Sequence, residues 1–242
     1  MSGQEPHIVE KRLQLLEQLC TEQPKLYVHP AGTPDEGREE AWPLGVEFLR
    51  WIIEHLPEQA HTLETGCGYS TLTLAFCGAR HIAIAPDYEQ HGRIKGWCHD
   101  HGIPVDQLTM MDAPSQDVLP TLETGALDLV LIDGCHAFPA PFLDWYYTAE
   151  QIRPGGWLIV DDCHIVTGRI LADFLDADAT RWQACLRSFK TIIYQRISSQ
   201  PVVKDLEWTD QPYCSTVLRE PSPTLLGRIL NRGRAWVARN RS

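Results

Sequence analysis

The sequence lacks a hydrophobic run long enough to cross a membrane, since no stretch of roughly 18 residues is predominantly apolar. The first residues, MSGQEPHIVEKR, contain no apolar segment typical of a secretory signal, which predicts a cytoplasmic protein. No two of the eight cysteines are spaced as Cys-x-x-Cys, and most lie inside apolar runs. This argues against a structural zinc site or a disulfide framework and favours reduced thiols.

Basic residues are also scarce, with 21 lysines and arginines against 32 acids and a formal net charge of -11. This balance argues against a nucleic-acid-binding surface over most of the chain. The exception is residues 217–242, where arginines outnumber acids and apolar residues share one helical arc over 225–241. Such a basic tail is suited to contact a second subunit in a homodimer, the acidic body, or an anionic membrane surface. Because Gly233 interrupts the helix, the first two are favoured.

From residue 60 onward, short β-prone runs alternate with helical stretches. The β-prone runs are 61–65, 81–85, 105–111, 127–132 and 157–161, and the helical stretches are 70–78, 88–101, 115–123, 139–152 and 167–176. This alternation predicts an α/β fold with a doubly wound, mostly parallel, Rossmann-like sheet. Two further β-like runs, 182–187 and 189–197, leave no room for a helix between them and predict an antiparallel hairpin at the sheet edge.

The remaining parts of the chain suggest three regions. Residues 1–43 combine a predicted helix over 6–20 with a loop over 24–43 that is rich in proline, glycine and acids. Residues 44–200 begin with a second helix and contain the sheet, and 201–242 form an irregular segment with the basic tail. We expect the first region to cover the functional site, with Tyr27, His29 and Trp42 as candidate substrate contacts.

The segment around which the sheet is organised is residues 61–70, His-Thr-Leu-Glu-Thr-Gly-Cys-Gly-Tyr-Ser. It predicts a strand ending at Glu64, a tight turn at Gly66 and Gly68, and a helix start. Glycines allow a sharp turn and a close approach of a ligand to the main chain. The unpaired N–H groups at the helix start favour a polar or anionic ligand.

Acids, glycines or other polar residues follow all five predicted parallel strands, where ligands bind in open α/β sheets. The residues at these strand ends are Glu64 to Gly68, Asp87, Asp112 to Gln116, Asp133 to His136, and Asp161 to His164. Glu64, Asp87, Asp112 and Ser115 each have an alternative interpretation as helix-terminal or capping residues. Asp133, Asp161 and Asp162 would repel one another without a cation or proton between them, which predicts a site for Mg²⁺ or a similar ion.

Residues 42–197 resemble the class I S-adenosylmethionine-dependent methyltransferases. Glu64-Thr-Gly66-Cys67-Gly68-Tyr-Ser70 is similar to their first motif, which implies that Glu64, Gly66, Cys67, Gly68 and Ser70 bind the cofactor. Local similarity is greatest to the metal-dependent catechol O-methyltransferase group and to bacterial enzymes with an Asp-Gly-x-His pattern. It implies that Ser115 and Gln116 contact the adenine. The acid expected to bind the ribose aligns with Ala83, so Asp87 is the nearest candidate.

The same resemblance implies the chemistry. Asp133, Asp161 and Asp162 would bind the divalent cation, with Asp133 also at the cofactor and in the catalytic set. His136 stands where the catechol enzymes have a catalytic lysine and would act as the general base. Cys135 replaces the aromatic residue that covers the adenine. The implied activity is O-methylation of a small-molecule hydroxyl, either a phenol or catechol or a sugar.

Three alternatives stay open. His164, two residues after the Asp161-Asp162 pair, is either structural, a second base or a metal ligand. The protein is alternatively a non-catalytic S-adenosylmethionine-binding partner subunit, although the retained acids argue against this. A nucleotide-binding oxidoreductase is the third, but Thr71 occupies the place of the third glycine in the dinucleotide fingerprint.

Overall fold

The computed structural model describes residues 6–202, together with Glu207 and Cys214. The predicted basic tail therefore lies outside the described residues. No helix within the described part of the chain is long and apolar enough to cross a membrane. The cysteines in residues 6–202 form no disulfide bond.

The N-terminal region contains two helices and a small hairpin. The helices are α1 (Pro6–Glu22) and α2 (Val46–His55), and the strands are β1 (Tyr27–Val28) and β2 (Glu39–Glu40). The antiparallel hairpin corrects the expectation of an irregular loop over 24–43. Its turn is closed by two backbone hydrogen bonds, from His29 N to Arg38 O and from Gly37 N to His29 O, both 3.0 Å. Gly37 has a φ of 74°, which a glycine adopts without strain.

The sheet has seven strands in the order β5-β4-β3-β6-β7-β9-β8. The strands are β3 (His61–Thr65), β4 (Arg80–Ile84), β5 (Leu108–Met111), β6 (Leu127–Ile132), β7 (Ile152–Val160), β8 (Trp182–Arg187) and β9 (Ile192–Arg196). The first five are parallel, whereas β9 runs antiparallel to β7 and pairs with β8 at the edge. The predicted doubly wound sheet and its antiparallel hairpin are confirmed.

Helices follow all five parallel strands as predicted, with one difference in length. They are α3 (Tyr69–Phe76), α4 (Tyr88–Asp100), α5 (Ser115–Val118), α6 (Ala140–Thr148) and α7 (Val166–Ala177). The stretch predicted as a helix over 115–123 is only the single turn α5, continued by a 3₁₀ turn, Leu119–Thr121. Pro120 has no N–H to donate, which favours this early end.

Alternate residues of the central strands face two separate hydrophobic clusters. In β6, Leu129 and Leu131 pack with the cluster that contains α1 to α4, while Val130 and Ile132 pack with the cluster that contains α6 and α7. Both faces of the sheet are therefore buried, which explains the continuous apolar run of β6. The chain order reverses between β3 and β6, and the carboxyl ends of these neighbouring strands form the crevice in which doubly wound folds bind ligands.

Candidate functional site

A cavity of about 1440 Å³ opens at the carboxyl ends of the parallel strands. Most of the residues that the sequence singles out contribute to its lining, namely Gly66, Cys67, Gly68, Asp87, Ser115, Gln116, Asp133, His136, Asp161 and Asp162. Two others, Glu64 and Ser70, are buried beneath the wall of the cavity. The roof includes Tyr27 to Ala31 and Ala41 to Pro43, from the hairpin region.

The glycine turn after β3 is in close contact with the end of β6. Gly66 has a φ of 92°, and a Cβ atom placed there would lie 2.2 Å from the backbone oxygen of Asp133. Only glycine fits this conformation and this approach. Gly68 is different, because its backbone is extended at a φ of 172° and a Cβ there would meet no atom within 4 Å. The turn thus places an open stretch of main chain, Gly66 to Gly68, directly beside Asp133.

Glu64 stabilises this turn from below. Its carboxylate accepts hydrogen bonds from Ser70 Oγ at 2.6 Å and from Thr71 Oγ1, and His81 Nε2 lies 3.0 Å away. Thr71 Oγ1 in turn accepts a hydrogen bond of 2.8 Å from the N–H of Gly68. Glu64 and Ser70, which the resemblance places at the cofactor, are hydrogen-bonded to each other within the loop that borders the cavity. The sequence reasoning missed His81, since a single histidine in an apolar strand carries no signal.

Asp87 has the predicted capping role and also faces the cavity. It caps α4 by accepting a hydrogen bond of 2.8 Å from the N–H of Gln90, and it also lines the cavity. Gln90 Nε2 donates to Cys67 O at 2.8 Å, which joins the start of α4 to the glycine turn. Asp87 Oδ2 lies 3.5 Å from a guanidinium nitrogen of Arg93. Asp87 is therefore fixed at the end of β4, next to the turn.

Ser115 and Gln116 begin α5 at the edge of the cavity. Ser115 Oγ donates a hydrogen bond of 2.7 Å to Asp144 Oδ1 on α6. Asp144 is fully buried, and this burial raises the pKa of its carboxyl group. The hydroxyl of Ser115 is thus used for positioning, a partnership that the sequence reasoning missed because Asp144 lies 29 residues away.

The acidic cluster consists of Asp133, His136 and Asp162, whose potential ligand atoms all lie within 4.8 Å of one another. His136 Nε2 is 2.9 Å from Asp162 Oδ2. Asp161, predicted as a third carboxylate ligand, is not part of this cluster because its Oδ1 accepts a hydrogen bond from Thr191 Oγ1. The structure therefore adds an imidazole, that of His136, to two of the three predicted aspartates.

The charges in this cluster are strongly coupled. Burial, together with the negative charges of Asp161 and Asp162, raises the pKa of Asp133 well above its usual range. The hydrogen bond to Asp162 raises the pKa of His136, and the same bond lowers the pKa of Asp162. An ionised Asp133 is unfavourable here unless a positive charge compensates it. Two carboxylates and an imidazole form a donor set that fits a divalent cation.

His164 also contacts the cluster, since its Nδ1 lies 3.4 Å from Asp162 Oδ1. This distance supports an electrostatic role for His164. Beyond it, the turn between β8 and β9 contributes Phe189 and Lys190 to the cavity lining. On the roof, the rings of Tyr27 and Trp42 are stacked with centroids 4.4 Å apart.

Comparisons with known proteins agree with this geometry. Residues 63–163 match a family model described as "Methyltransferase domain". A curated relative, catechol O-methyltransferase of Mycobacterium tuberculosis, is 32% identical over 114 residues, which is 46% of this chain and 50% of the relative. The chain thus matches about half the length of this curated relative.

Solved structures share the fold over a larger part of the chain. A cofactor-bound protein from MTB, Rv0187, has a TM-score of 0.54 at 17% identity and covers 81% of this chain and 92% of its own. The O-methyltransferase TomG from Streptomyces achromogenes, in complex with SAM, has a TM-score of 0.52 at 17% identity with the same coverage. Residues 63–163 thus match a methyltransferase domain model, and the sheet order shows that the chain shares the Rossmann-like fold of these solved methyltransferase structures.

Proposed function

We propose that the protein transfers a methyl group from S-adenosylmethionine to a hydroxyl oxygen of a small molecule, assisted by a divalent cation such as Mg²⁺. The observation that carries this proposal is the contact between Gly66 and Asp133. It joins the glycine turn, suited to a cofactor, to an acidic cluster suited to a cation. The similarity to a catechol O-methyltransferase supports oxygen as the acceptor atom.

The residues available to hold the cofactor surround one part of the cavity. The open main chain from Gly66 to Gly68 lines the cavity together with Asp87, Ser115 and Gln116. We assign Asp87 to the ribose hydroxyls, since it is the acid that lines the cavity at the end of β4. We assign Gln116 to the adenine, while Ser115 positions α5 through Asp144.

When bound, the sulfonium supplies the methyl group, and a divalent cation lowers the pKa of the acceptor hydroxyl. Asp133 and Asp162 are the residues that would hold that cation, and His136 would act beside it. In the cavity, His136 accepts the proton that the hydroxyl loses as its oxygen bonds to the methyl carbon. Asp162 is hydrogen-bonded to one ring nitrogen of His136 and keeps the imidazole oriented for this transfer.

Much of the rate would come from alignment. Methyl transfer is a direct displacement, in which the carbon–oxygen bond forms as the carbon–sulfur bond breaks, so the three atoms must be held in line. The fixed contact between the glycine turn and β6 supplies such a rigid frame. We also propose that residues 1–43 act as a cover, because the hairpin contributes to the lining of the cavity.

The test measures transfer of a labelled methyl group from S-adenosylmethionine to a panel of catechols and sugars, with Mg²⁺ or with a chelator. We expect methylation of hydroxyls that depends on the cation. Calorimetry with S-adenosylhomocysteine and with NAD runs in parallel. Binding of S-adenosylhomocysteine without transfer to any acceptor would favour the non-catalytic partner subunit, and binding of NAD alone would favour the oxidoreductase.

A further inference from the structure

The turn between β8 and β9, residues 188–191, is attached directly to the end of β7. The N–H of Cys163 donates a hydrogen bond of 2.6 Å to Lys190 O, and Thr191 Oγ1 donates to Asp161 Oδ1. Within the turn, the N–H groups of Lys190 and Thr191 donate to Ser188 Oγ at 3.2 and 3.0 Å. These bonds hold the backbone of the turn, and with it the positions from which Phe189 and Lys190 project, at the end of β7.

Phe189 is exposed at the wall of the cavity that also contains the proposed base. Its side chain is 80% exposed although it lines the cavity. Its ring centroid is 6.0 Å from that of His164, and His164 contacts Asp162, the partner of His136. A phenylalanine at the wall of a polar cavity provides a flat apolar face, on which another aromatic ring packs favourably in an offset or edge-on arrangement.

Lys190 adds a positive charge next to this face. Its side chain is exposed, lines the cavity and makes no hydrogen bond or ion pair with any residue that the structure describes. The nearest carboxylates are already engaged, since Asp161 accepts from Thr191 and Asp162 pairs with His136. Burial raises the pKa of Asp161, and the charge of Lys190 acts on that pKa in the opposite direction, consistent with their proximity. The ammonium group is thus available to a ligand.

We infer that the methyl acceptor is an aromatic hydroxyl compound that carries a negatively charged group, with its ring against Phe189 and its charge beside Lys190. This inference rests on the proposed O-methyltransferase function and specifies its substrate class. A sugar with no aromatic ring and no charge would use neither side chain. An acceptor with a positive charge would be repelled by Lys190.

The test compares three catechols that differ in charge: 3,4-dihydroxybenzoate, its methyl ester and dopamine. With S-adenosylmethionine and Mg²⁺, we expect the benzoate to have the highest kcat/KM, by roughly fivefold over the ester, as for one exposed charge pair. Lys190→Met should remove this preference by lowering kcat/KM for the benzoate, while Lys190→Arg should retain it. Lys95→Met, which removes an exposed lysine that does not line the cavity, is the matched control.

Phe189→Ala should lower kcat/KM for all three catechols, whereas Phe189→Leu should lower it less. Methylation with no preference for the benzoate, or a preference that survives Lys190→Met, would overturn the inference while leaving the proposed function intact. If no catechol is methylated, calorimetry of the three compounds with the S-adenosylhomocysteine complex decides the matter. Binding of the benzoate that is lost in Lys190→Met would support the assignment of Lys190 to the charged group, although the proposed function had failed. If none of the three compounds bound, the inference and the proposed function would both be overturned.

Discussion

His136 Nε2 lies 2.9 Å from Asp162 Oδ2, so the imidazole at the end of β6 is oriented by a carboxylate at the end of β7. The two side chains come from strands that are neighbours in the sheet but 26 residues apart in the sequence, the difference between positions 162 and 136. Within the described residues, His136 Nδ1 has no hydrogen-bond partner and remains available to a proton from the acceptor.

We predict that His136→Gln lowers kcat by about 10²- to 10⁴-fold, the usual contribution of a general base. The affinity for S-adenosylhomocysteine, measured by calorimetry, should change little, because the glycine turn is untouched. His99→Gln removes a histidine whose side chain is 90% exposed and serves as the control. Normal turnover in His136→Gln would exclude His136 as the base.

The two glycines of the turn should respond differently to alanine. At Gly66 the added Cβ would collide with Asp133 O, and the positive φ adds strain of about 1–3 kcal/mol. Gly66→Ala should therefore lower the melting temperature and abolish binding of S-adenosylhomocysteine. At Gly68 the backbone is extended and the Cβ meets open space, so Gly68→Ala should change stability by about 0.5 kcal/mol or less. Equal destabilisation of the two variants, by thermal melting, would contradict this description of the turn.

We predict that Glu64 contributes to stability and to cofactor binding by holding the loop that borders the cavity. Glu64→Leu leaves the hydroxyls of Ser70 and Thr71 without their buried acceptor, which costs about 1–3 kcal/mol for each unsatisfied group. Thermal melting should show the loss of stability, and calorimetry should show weaker binding of S-adenosylhomocysteine. Glu64→Gln, which keeps an acceptor oxygen, should be milder in both measurements. A Glu64→Leu variant that melts like the wild type would refute the supporting role.

Asparagine substitutions can show which of the three neighbouring aspartates bind the cation. Saturating Mg²⁺ or Mn²⁺ should raise the melting temperature, since a cation bound at 100 times its Kd adds about 2.7 kcal/mol of stability. Asp133→Asn and Asp162→Asn should abolish this rise, because both belong to the acidic cluster. Asp161→Asn should retain most of it, because Thr191 already occupies one of its oxygens. If Asp161→Asn abolished the rise as well, the three aspartates would be the ligands, as the resemblance implies.

The ion pair that joins the ends of α1 and α4 should make a contribution to the stability of the fold that depends on pH. His101 Nε2 lies 2.9 Å from Glu22 Oε1. Burial disfavours the charged form of His101, but the hydrogen bonds with Glu22 and with the Trp97 carbonyl outweigh it and raise the pKa of His101. The bond to His101 also lowers the pKa of Glu22.

The pair therefore stabilises the fold between the lowered pKa of Glu22 and the raised pKa of His101. The contribution of His101 is lost as the pH rises through its folded-state pKa, and that of Glu22 as the pH falls through its own. We predict that Glu22→Gln lowers the melting temperature more at pH 6 than at pH 9, and that His99→Gln shows no such difference. An equal effect of Glu22→Gln at both values would exclude the ion pair as the cause.

The sequence alone determined the architecture of the sheet and the position of its ligand crevice. The alternation of β-prone and helical segments specifies right-handed crossovers, and these bring all parallel strands to one edge with their polar ends together. For the same reason, Gly66, Cys67, Gly68, Asp87, Ser115, Gln116, Asp133 and His136 could be selected from their position after a strand, and all of them line the cavity. The apolar periodicity of the sequence reveals where strands and helices end, because it follows the regular alternation of buried and exposed positions along each element.

Only the tertiary structure decided which polar groups pair with one another. Glu64 accepts hydrogen bonds from Ser70 and Thr71 and lies 3.0 Å from His81, and Asp161 accepts one from Thr191. These choices depend on side chains contributed by other strands and helices, at separations that no local pattern reports. The side chains of adjacent residues at a strand end point in different directions. Because residues 161 and 162 are both aspartates, the sequence could not show which of them contacts His136. The physical reason is that hydrogen bonds require matched distance and direction, which exist only after the elements have packed.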